Sequence, residues 1–233
     1  MRVLKDEWGC VETFKSDDEK GRYYSEVGVS MVKAGLRLYG HGTWSGGWIL
    51  TADDHQHGDR AYYIKTENMG RVIAVEATII ADISTVFHEA WENIEKVTEY
   101  NPTVRDYKVL KEYSDHTRLV YNASHEIFGG LLSSRDFVDV NSYRKIGEVY
   151  YHAGRSVEHK DMPHQKGKIR GENLIGWMRL EETPAHKGKT NVCVMASADF
   201  KGMLPKSLTD RGMTHYLVEY VRHFKKHLES LAN

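Results

Sequence analysis

The sequence has 233 residues, of which 28% are charged and 11% aromatic, and its formal net charge at pH 7 is −1. This length and composition fit one soluble domain with a sizeable core, and the balanced charge argues against recruitment by nucleic acid or an anionic membrane. Two cysteines, Cys10 and Cys193, form no disulfide framework and indicate a reducing, cytosolic setting.

The first 20 residues are polar, and we expect a loosely ordered lead-in before a domain that spans residues 21–233. They contain no apolar signal core, and their acidic residues argue against a mitochondrial transit peptide. No apolar run reaches the ~18 residues that a membrane-spanning helix needs. We therefore expect a cytoplasmic protein that contacts organelle membranes only transiently.

The next 80 residues or so contain both helical and strand patterns. Apolar residues recur at roughly helical spacing over residues 23–39 and residues 82–100, and an Asn-Pro pair ends the second segment. The stretch between the two predicted helices favours three strands, near residues 48–51, 60–65 and 71–81.

The remainder of the chain is predicted to be strands closed by one long helix. Five or six strands are expected near residues 105–113, 117–124, 135–144, 148–158, 168–180 and 190–200. After Pro205, apolar residues recur at helical spacing up to Leu231. Because the strands follow one another without a βαβ rhythm, we predict an α+β domain in which helices pack on an antiparallel sheet.

Candidates for metal binding and catalysis are weak. His55 and His57 fit a polar hairpin tip, and His223 and His227 fit a solvated helix face, since lysines separate them. Cys193 lies in an apolar strand, where a lone thiol is usually inert. No nucleophile, phosphate-binding or dinucleotide motif occurs. We expect no metal site, no cofactor and no catalytic residue, and hence not an enzyme.

Four motifs carry a resemblance to a known family: YNPTVRDYKVL (100–110), SSRDFVDV (133–140), MPHQKGKIRGEN (162–173) and SADFKGMLPKSL (197–208). From Tyr100 onward the chain resembles the START domain, the lipid-transfer domain named after the steroidogenic acute regulatory protein. It fits the branch that contains cholesterol carriers. The resemblance implies a helix-grip fold, in which a curved nine-stranded antiparallel sheet wraps around the C-terminal helix and encloses a tunnel for one lipid.

The family also implies a lid over this tunnel. In relatives the segment after the second strand of the central group is an Ω loop, and here it reads HEIFGGLLSS (125–134). Its apolar residues Ile127, Phe128, Leu131 and Leu132 are expected to pack on the last helix and to open as a gate at a bilayer. The two interpretations are compatible, because a gate must also close.

Two asparagines distinguish this chain from the cholesterol carriers. In those relatives the positions of Asn122 and Asn141 hold an acid and an arginine, which form a buried charged pair. Amides need only hydrogen bonds when buried, so we expect Asn122, Ser124, Asn141 and His152 to form a neutral polar floor that contacts the ligand.

Other interpretations of these residues stay open. Strand alternation alone would bury Val138 and Val140 and leave Asn141 outside, so only the resemblance turns Asn141 inward. His152 also fits a satisfied core histidine. Arg155 is expected to face solvent or Glu158, although it could replace the missing arginine. Within the RDFV motif, Arg135 and Asp136 are expected to pair.

The leading hypothesis is a monomeric, non-enzymatic carrier of one hydrophobic small molecule, with a sterol such as cholesterol as the first candidate. A carotenoid with hydroxyls at both ends is the alternative, since the branch includes carotenoid binders. A ligand-sensing module without transfer activity also remains possible. A phospholipid or ceramide is disfavoured, because no inward base or acid for a headgroup is evident in the sequence.

Overall fold

The computed structural model describes residues 2–16, 18–40, 46–54, 58–126, 133–183, 187–202 and 206–231. The strands are β1 Arg2–Lys5, β2 Val11–Phe14, β3 Ile49–Asp54, β4 Asp59–Thr66, β5 Gly70–Ile79, β6 Val104–Glu112, β7 Thr117–Ser124, β8 Arg135–Ile146, β9 Val149–Ser156, β10 Ile169–Arg170, β11 Glu172–Glu182 and β12 Thr190–Asp199. The helices are α1 Glu19–Tyr39, α2 Ile83–Ala90, α3 Val97–Tyr100 and α4 Lys206–Leu231, with a 3-10 turn at Ile94–Lys96.

Nine of these strands form one path of antiparallel neighbours in the order β3-β4-β5-β12-β11-β9-β8-β7-β6. The short strand β10 pairs in parallel with the start of β8 and lies off this path. Among the described residues β3 and β6 are the two edges, so the sheet is open. The predicted α+β class, the nine-stranded antiparallel sheet and the long C-terminal helix are confirmed.

Helices cover the two faces of the sheet. The face toward α4, called the concave face from here on, packs Val75, Met178 and Val194 against Leu217 and Phe224 of the helix. The face toward α1 buries Trp177 and Met195 against Val32 and Tyr39. Since successive strand residues point to opposite faces, each central strand contributes to both cores.

Two glycines explain why α1 forms despite its weak sequence pattern. A methyl group on Gly28 would overlap the side chain of Ser142, and one on Gly35 would overlap the indole of Trp177. Glycine costs a helix about 1 kcal/mol relative to alanine, but here it lets the helix lie directly on the sheet. The helix begins at an Asp18 N-cap and ends at Gly40, whose φ is 64°.

The N-terminal lead-in is not loosely ordered. Strands β1 and β2 form an antiparallel hairpin, and Glu12 of β2 is buried against the sheet. Its carboxylate accepts hydrogen bonds from Arg144 Nη2 at 2.7 Å and Thr117 Oγ1 at 2.6 Å. Acidic residues in a polar stretch suggested a solvated segment, whereas this one compensates a buried arginine. The boundary at residue 21 stays a prediction.

The second predicted helix is broken in the structure. Helix α2 ends at Ala90, and the chain continues through a 3-10 turn into the short α3. The carbonyl of Trp91 accepts a hydrogen bond from Arg118 Nη1 at 2.7 Å. This bond joins α2 to a strand far along the chain, and an apolar stripe could not predict it. No described helix is both long and apolar enough to cross a membrane.

The predicted pair within the RDFV motif is wrong. Arg135 donates to the backbone carbonyl of Phe200 through Nε at 3.1 Å, while Asp136 pairs with Arg170, with 2.9 Å between Nη2 and Oδ2. Adjacent strand residues point to opposite faces, so Arg135 and Asp136 serve different neighbours. Arg135 thereby joins the start of β8 to the segment that leads to α4.

Candidate ligand-binding site

The structure places three of the four predicted floor residues on the concave face. Met178, which packs in the core beneath α4, is the direct partner of His152. Within β8, Asn141 points to the same face as Tyr143, the partner of His152 on the neighbouring strand. Asn122 is opposite Phe137, four residues before Asn141, and shares that face.

The structure shows which face of β8 Asn141 occupies. Val138 and Val140 are buried in a cluster with Tyr24 of α1, on the opposite face from Asn141. Alternation correctly predicted that the valines are buried, but a sheet covered on both faces does not leave the other side chains in solvent. Asn141 thus points to the face that the resemblance implied, and its role in ligand binding stays a prediction.

Open space lies over the middle of the concave face. Gly154, Gly176 and Ala196 are direct partners on the three neighbouring strands β9, β11 and β12. Among the described residues, apart from its chain neighbours, a methyl group placed on Gly176 would meet one atom within 4 Å, the carbonyl oxygen of Gly154 at 3.9 Å. Helix α4 packs chiefly against β5 and β12, to one side of this row. Gly176 therefore borders space that the described side chains of the sheet and of α4 leave open.

A cavity lies near this row, beside the start of α4. Its volume is about 220 Å³, and Ile73, Leu174, Phe200 and Met213 are among its lining residues. Ile73 is the direct partner of Ala196, so the cavity adjoins the row of small residues. Its largely apolar lining suits the hydrophobic part of a ligand.

Asn141 is held in place by a hydrogen bond across the concave face. Its Nδ2 donates to the hydroxyl of Tyr107 at 3.1 Å, and its side-chain oxygen occupies the position that a methyl group on Gly154 would need. Burial raises the pKa of Tyr107 to about 12. The hydroxyl thus stays protonated, and its own hydrogen remains available to an acceptor.

Asn122 supports a buried carboxylate. Its Nδ2 donates to Asp139 at 2.9 Å, and Ser156 Oγ and Asn173 Nδ2 donate to the same carboxylate at 2.6 and 2.8 Å. Asp139 is 5% exposed. Desolvation raises its pKa, although the three hydrogen bonds oppose that change. The two asparagines therefore donate to different protein partners.

The prediction that the polar end of the site carries only uncharged side chains is wrong. Arg118 is directly opposite Asn141 on the concave face and is only 3% exposed. Its guanidinium stacks on the ring of Trp91, with 3.6 Å between Cζ and the ring centroid, and Nη1 donates to the carbonyl of Trp91. Asp139 adds an acidic side chain to the same face. An inward base and acid are therefore present.

The remaining predicted residues make other contacts. His152 packs edge-on against Trp91, with 5.2 Å between ring centroids, and desolvation followed by the charge of Arg118 lowers its pKa to about 3. Ser124 accepts a hydrogen bond from the backbone N–H of Arg135 and ties β7 to β8. Arg155 is 41% exposed at its side chain and faces solvent. The predicted lid residues, Ile127, Phe128, Leu131 and Leu132, lie outside the described residues.

The alternative sites remain unsupported. His55 and His57 lie outside the described residues, and the described part of the chain contains no group of three possible metal ligands. His227 is not on a solvated face, because its Nε2 lies 2.8 Å from Glu89 Oε2 and its ring stacks on Tyr100. Cys193 is buried, and desolvation raises the pKa of its thiol well above the usual value.

Comparisons of the sequence and of the structure with known proteins agree with each other. A family model described as START domain matches residues 43–233. The steroidogenic acute regulatory protein of Xenopus laevis is 30% identical over 210 residues, which cover 90% of this chain and 72% of that protein. Its human counterpart, named as mitochondrial, is 29% identical over 219 residues, 94% of this chain and 75% of that protein. The solved structure of human StAR-related lipid transfer protein 5 matches with a TM-score of 0.80 at 16% identity, covering 91% of this chain and 99% of that one.

Proposed function

The chain belongs to the START domain family, and we propose that it carries one hydrophobic small molecule, with a sterol such as cholesterol as the first candidate, in the space between the concave face and α4. The observation that carries this proposal is the open space over Gly176, which adjoins an apolar cavity on one side and Arg118, Asn141 and His152 on the other. A solid core would need large side chains in this row.

The energetics favour an apolar ligand that is enclosed. Burying ~400 Å² of sterol surface at roughly 25 cal/mol per Å² contributes on the order of ten kcal/mol before ordering costs. Polar groups at one end fix the orientation of the ligand more than they add affinity. The similarity to steroidogenic acute regulatory proteins supports a sterol skeleton, which stays part of the proposal.

The proposed carrier works by binding and release, without a catalytic step. We place it in the cytoplasm as a monomer that touches membranes transiently through the segment 125–134. Exposed apolar residues in such a segment suit brief contact with a bilayer. A carotenoid remains the second candidate, because its long apolar body would suit the same space and a terminal hydroxyl could contact the polar groups around Asn141.

Transfer of a fluorescent sterol between donor and acceptor vesicles tests the proposal. We expect the purified protein to accelerate transfer in proportion to its concentration. Tight sterol binding without accelerated transfer would instead support a ligand-sensing module. Absorption bands in the visible range from the purified protein would favour the carotenoid. Failure to bind or transfer any of these lipids would contradict the proposed function.

A further inference from the structure

Arg118 is a buried cation with incomplete hydrogen bonding. Only one of its three guanidinium nitrogens, Nη1, has a partner, the carbonyl of Trp91, while Nε and Nη2 have none among the described residues. A buried arginine cannot lose its proton at ordinary pH, so the charge remains. Leaving such a charge uncompensated costs several kcal/mol, and binding of an anion would remove much of this penalty.

Protein carboxylates do not supply the compensation. Asp139 is two residue pairs away along β7 and β8, but its oxygens accept from Ser156, Asn122 and Asn173, and it makes no ion pair with Arg118. Glu112 is the direct partner of Arg118 on β6, but its carboxylate pairs with Lys15. Glu92, Glu95 and Glu112 act on Arg118 only through their charge, without an ion pair among the described residues. Outside the described ranges the sequence contains a single acidic side chain, Asp17.

The two unpartnered nitrogens form a fork. Nε and Nη2 lie on the same edge of the planar guanidinium, and their parallel N–H groups match the two oxygens of a carboxylate. Stacking on Trp91 and the bond from Nη1 fix the plane of this fork before a ligand arrives. A preorganised fork loses less entropy on binding than a flexible side chain does.

The surroundings favour the same chemistry. Asn141 lies directly opposite Arg118, and the hydroxyl of Tyr107, which accepts from Asn141, keeps a hydrogen to donate. Gly154 is the direct partner of Asn141 on β9, the strand that flanks β8 on the side away from Arg118. It borders the open space over Gly176. A polar head at Arg118 could therefore continue into an apolar body along the row of small residues.

We propose that Arg118 binds a carboxylate at the polar end of the ligand, so that the chain selects an apolar acid over the alcohol of the same skeleton. This inference rests on the proposed function and narrows its ligand class. The carboxylate could belong to a fatty acid or to an acidic sterol, and the two sources share the chemistry that Arg118 recognises.

The test measures affinities for two matched pairs of ligands: oleic acid with oleyl alcohol, and cholestenoic acid with cholesterol. We expect the protein to bind the acid of at least one pair about tenfold tighter than its matched partner. The pair that shows this preference identifies the skeleton. Equal affinity for the two members of every pair that binds would overturn the inference and leave the lipid-carrier function intact.

Three variants distinguish recognition of the carboxylate by Arg118 from a purely structural role of this residue. Arg118→Met should abolish the acid preference, because its apolar side chain has a similar length but carries no charge. Arg118→Lys keeps the charge but loses the fork, so it should lose most of the preference, and it decides the question if the methionine variant does not fold. Arg155→Met, on the opposite face of the sheet, should keep the preference. An acid preference that survives Arg118→Met would overturn the inference.

If none of the four probes binds, the headgroup of the lipid that copurifies with the protein decides. An acidic lipid would support the role of Arg118, and a neutral lipid would overturn it. If no lipid binds at all, the proposed carrier function fails, and the inference fails with it.

Discussion

Asn141 and Tyr107 meet across the concave face, where the amide Nδ2 donates to the phenolic oxygen at 3.1 Å. The two residues come from β8 and β6, which are separated by β7. Their hydrogen bond places polar groups beside Arg118, which is directly opposite Asn141 on β7. The polar end of the proposed site is therefore built from three adjacent strands and does not depend on a loop.

Replacing Asn141 by leucine should weaken ligand retention and leave the fold normal. Leucine has a similar volume, but it removes the donor to Tyr107 and the acceptor that faces the site. Loss of such buried hydrogen bonds typically costs about 1–3 kcal/mol, or roughly tenfold or more in affinity. Retention of a bound lipid through gel filtration measures the effect. Asn191→Leu, an amide substitution on the opposite face, should retain lipid normally, and equal retention in both variants would count against a role for Asn141.

Gly176→Leu should fill the proposed binding space. In the part of the chain that the structure describes, one atom lies within 4 Å of a methyl group at this position, so a leucine side chain can enter without overlap at its Cβ. We expect a thermal unfolding midpoint that is unchanged or raised, together with a loss of lipid binding. Ala52→Leu adds similar bulk on an exposed strand and serves as the control. Normal lipid binding by the Gly176→Leu protein would place the ligand elsewhere.

The buried pair of Glu12 and Arg144 should contribute strongly to stability. Glu12→Gln should reduce the free energy of unfolding by about 3 kcal/mol, because it weakens compensation of a buried guanidinium. Glu112→Gln removes the carboxylate of an exposed pair with Lys15 and should change stability by about 1 kcal/mol or less. Urea denaturation of both variants provides the comparison. A loss no greater for Glu12→Gln than for Glu112→Gln would show that the hairpin contributes little.

The carboxylate of Glu12 should make stability depend on pH in the acid range. Burial opposes ionisation of Glu12, but Arg144 and three hydroxyl donors outweigh it and lower its pKa below the usual 4.5. Its contribution is therefore present above about pH 4.5 and is lost as the pH falls through the lowered value. The Glu12→Gln variant should show a smaller loss of stability over this range than the unmodified protein. Parallel pH profiles for the two proteins would contradict this assignment.

His152 should also make stability depend on pH, at higher pH values than Glu12 does. Desolvation, followed by the charge of Arg118, lowers its pKa to about 3, so the folded protein keeps the ring neutral while the unfolded chain binds a proton near pH 6.5. Stability from this residue is complete above about pH 6.5 and decreases as the pH falls toward 3. Between about pH 7.5 and about pH 5.5 the unmodified protein should lose about 1.4 kcal/mol more than a His152→Phe variant.

Thermal or chemical denaturation at the two pH values measures this difference. His164→Phe replaces an exposed histidine by the same residue and serves as the matched control variant. If His152→Phe and the unmodified protein lose the same stability, His152 is not buried as a neutral ring.

Local patterns predicted most of the fold. Alternation and β-branched residues located the strands of the sheet to within a few residues, and the apolar stripe located α4. The N-terminal hairpin was missed because Glu12, an acid in a polar stretch, becomes buried only through Arg144, more than a hundred residues later. The break after α2 was missed for a similar reason, since Arg118 binds the carbonyl of Trp91 from a distant strand.

The site was predicted less well than the fold. The family resemblance turned Asn141 to the concave face, but it offered no signal for Arg118, a residue at the start of a strand that ordinarily faces solvent. Knowledge of the register between β7 and β8 would have placed Arg118 opposite Asn141, because residues paired across neighbouring strands share a face. A sequence alone does not fix that register. It also does not show that a covered sheet buries a cation without a carboxylate partner.

Native mass spectrometry of the protein after incubation with lipid vesicles tests the central claim most directly. An enclosed site between the concave face and α4 predicts a single bound lipid per chain, with a stoichiometry that stays at one as the lipid concentration rises. Complexes with no lipid, or with a number of lipids that increases steadily with concentration, would contradict an internal binding site.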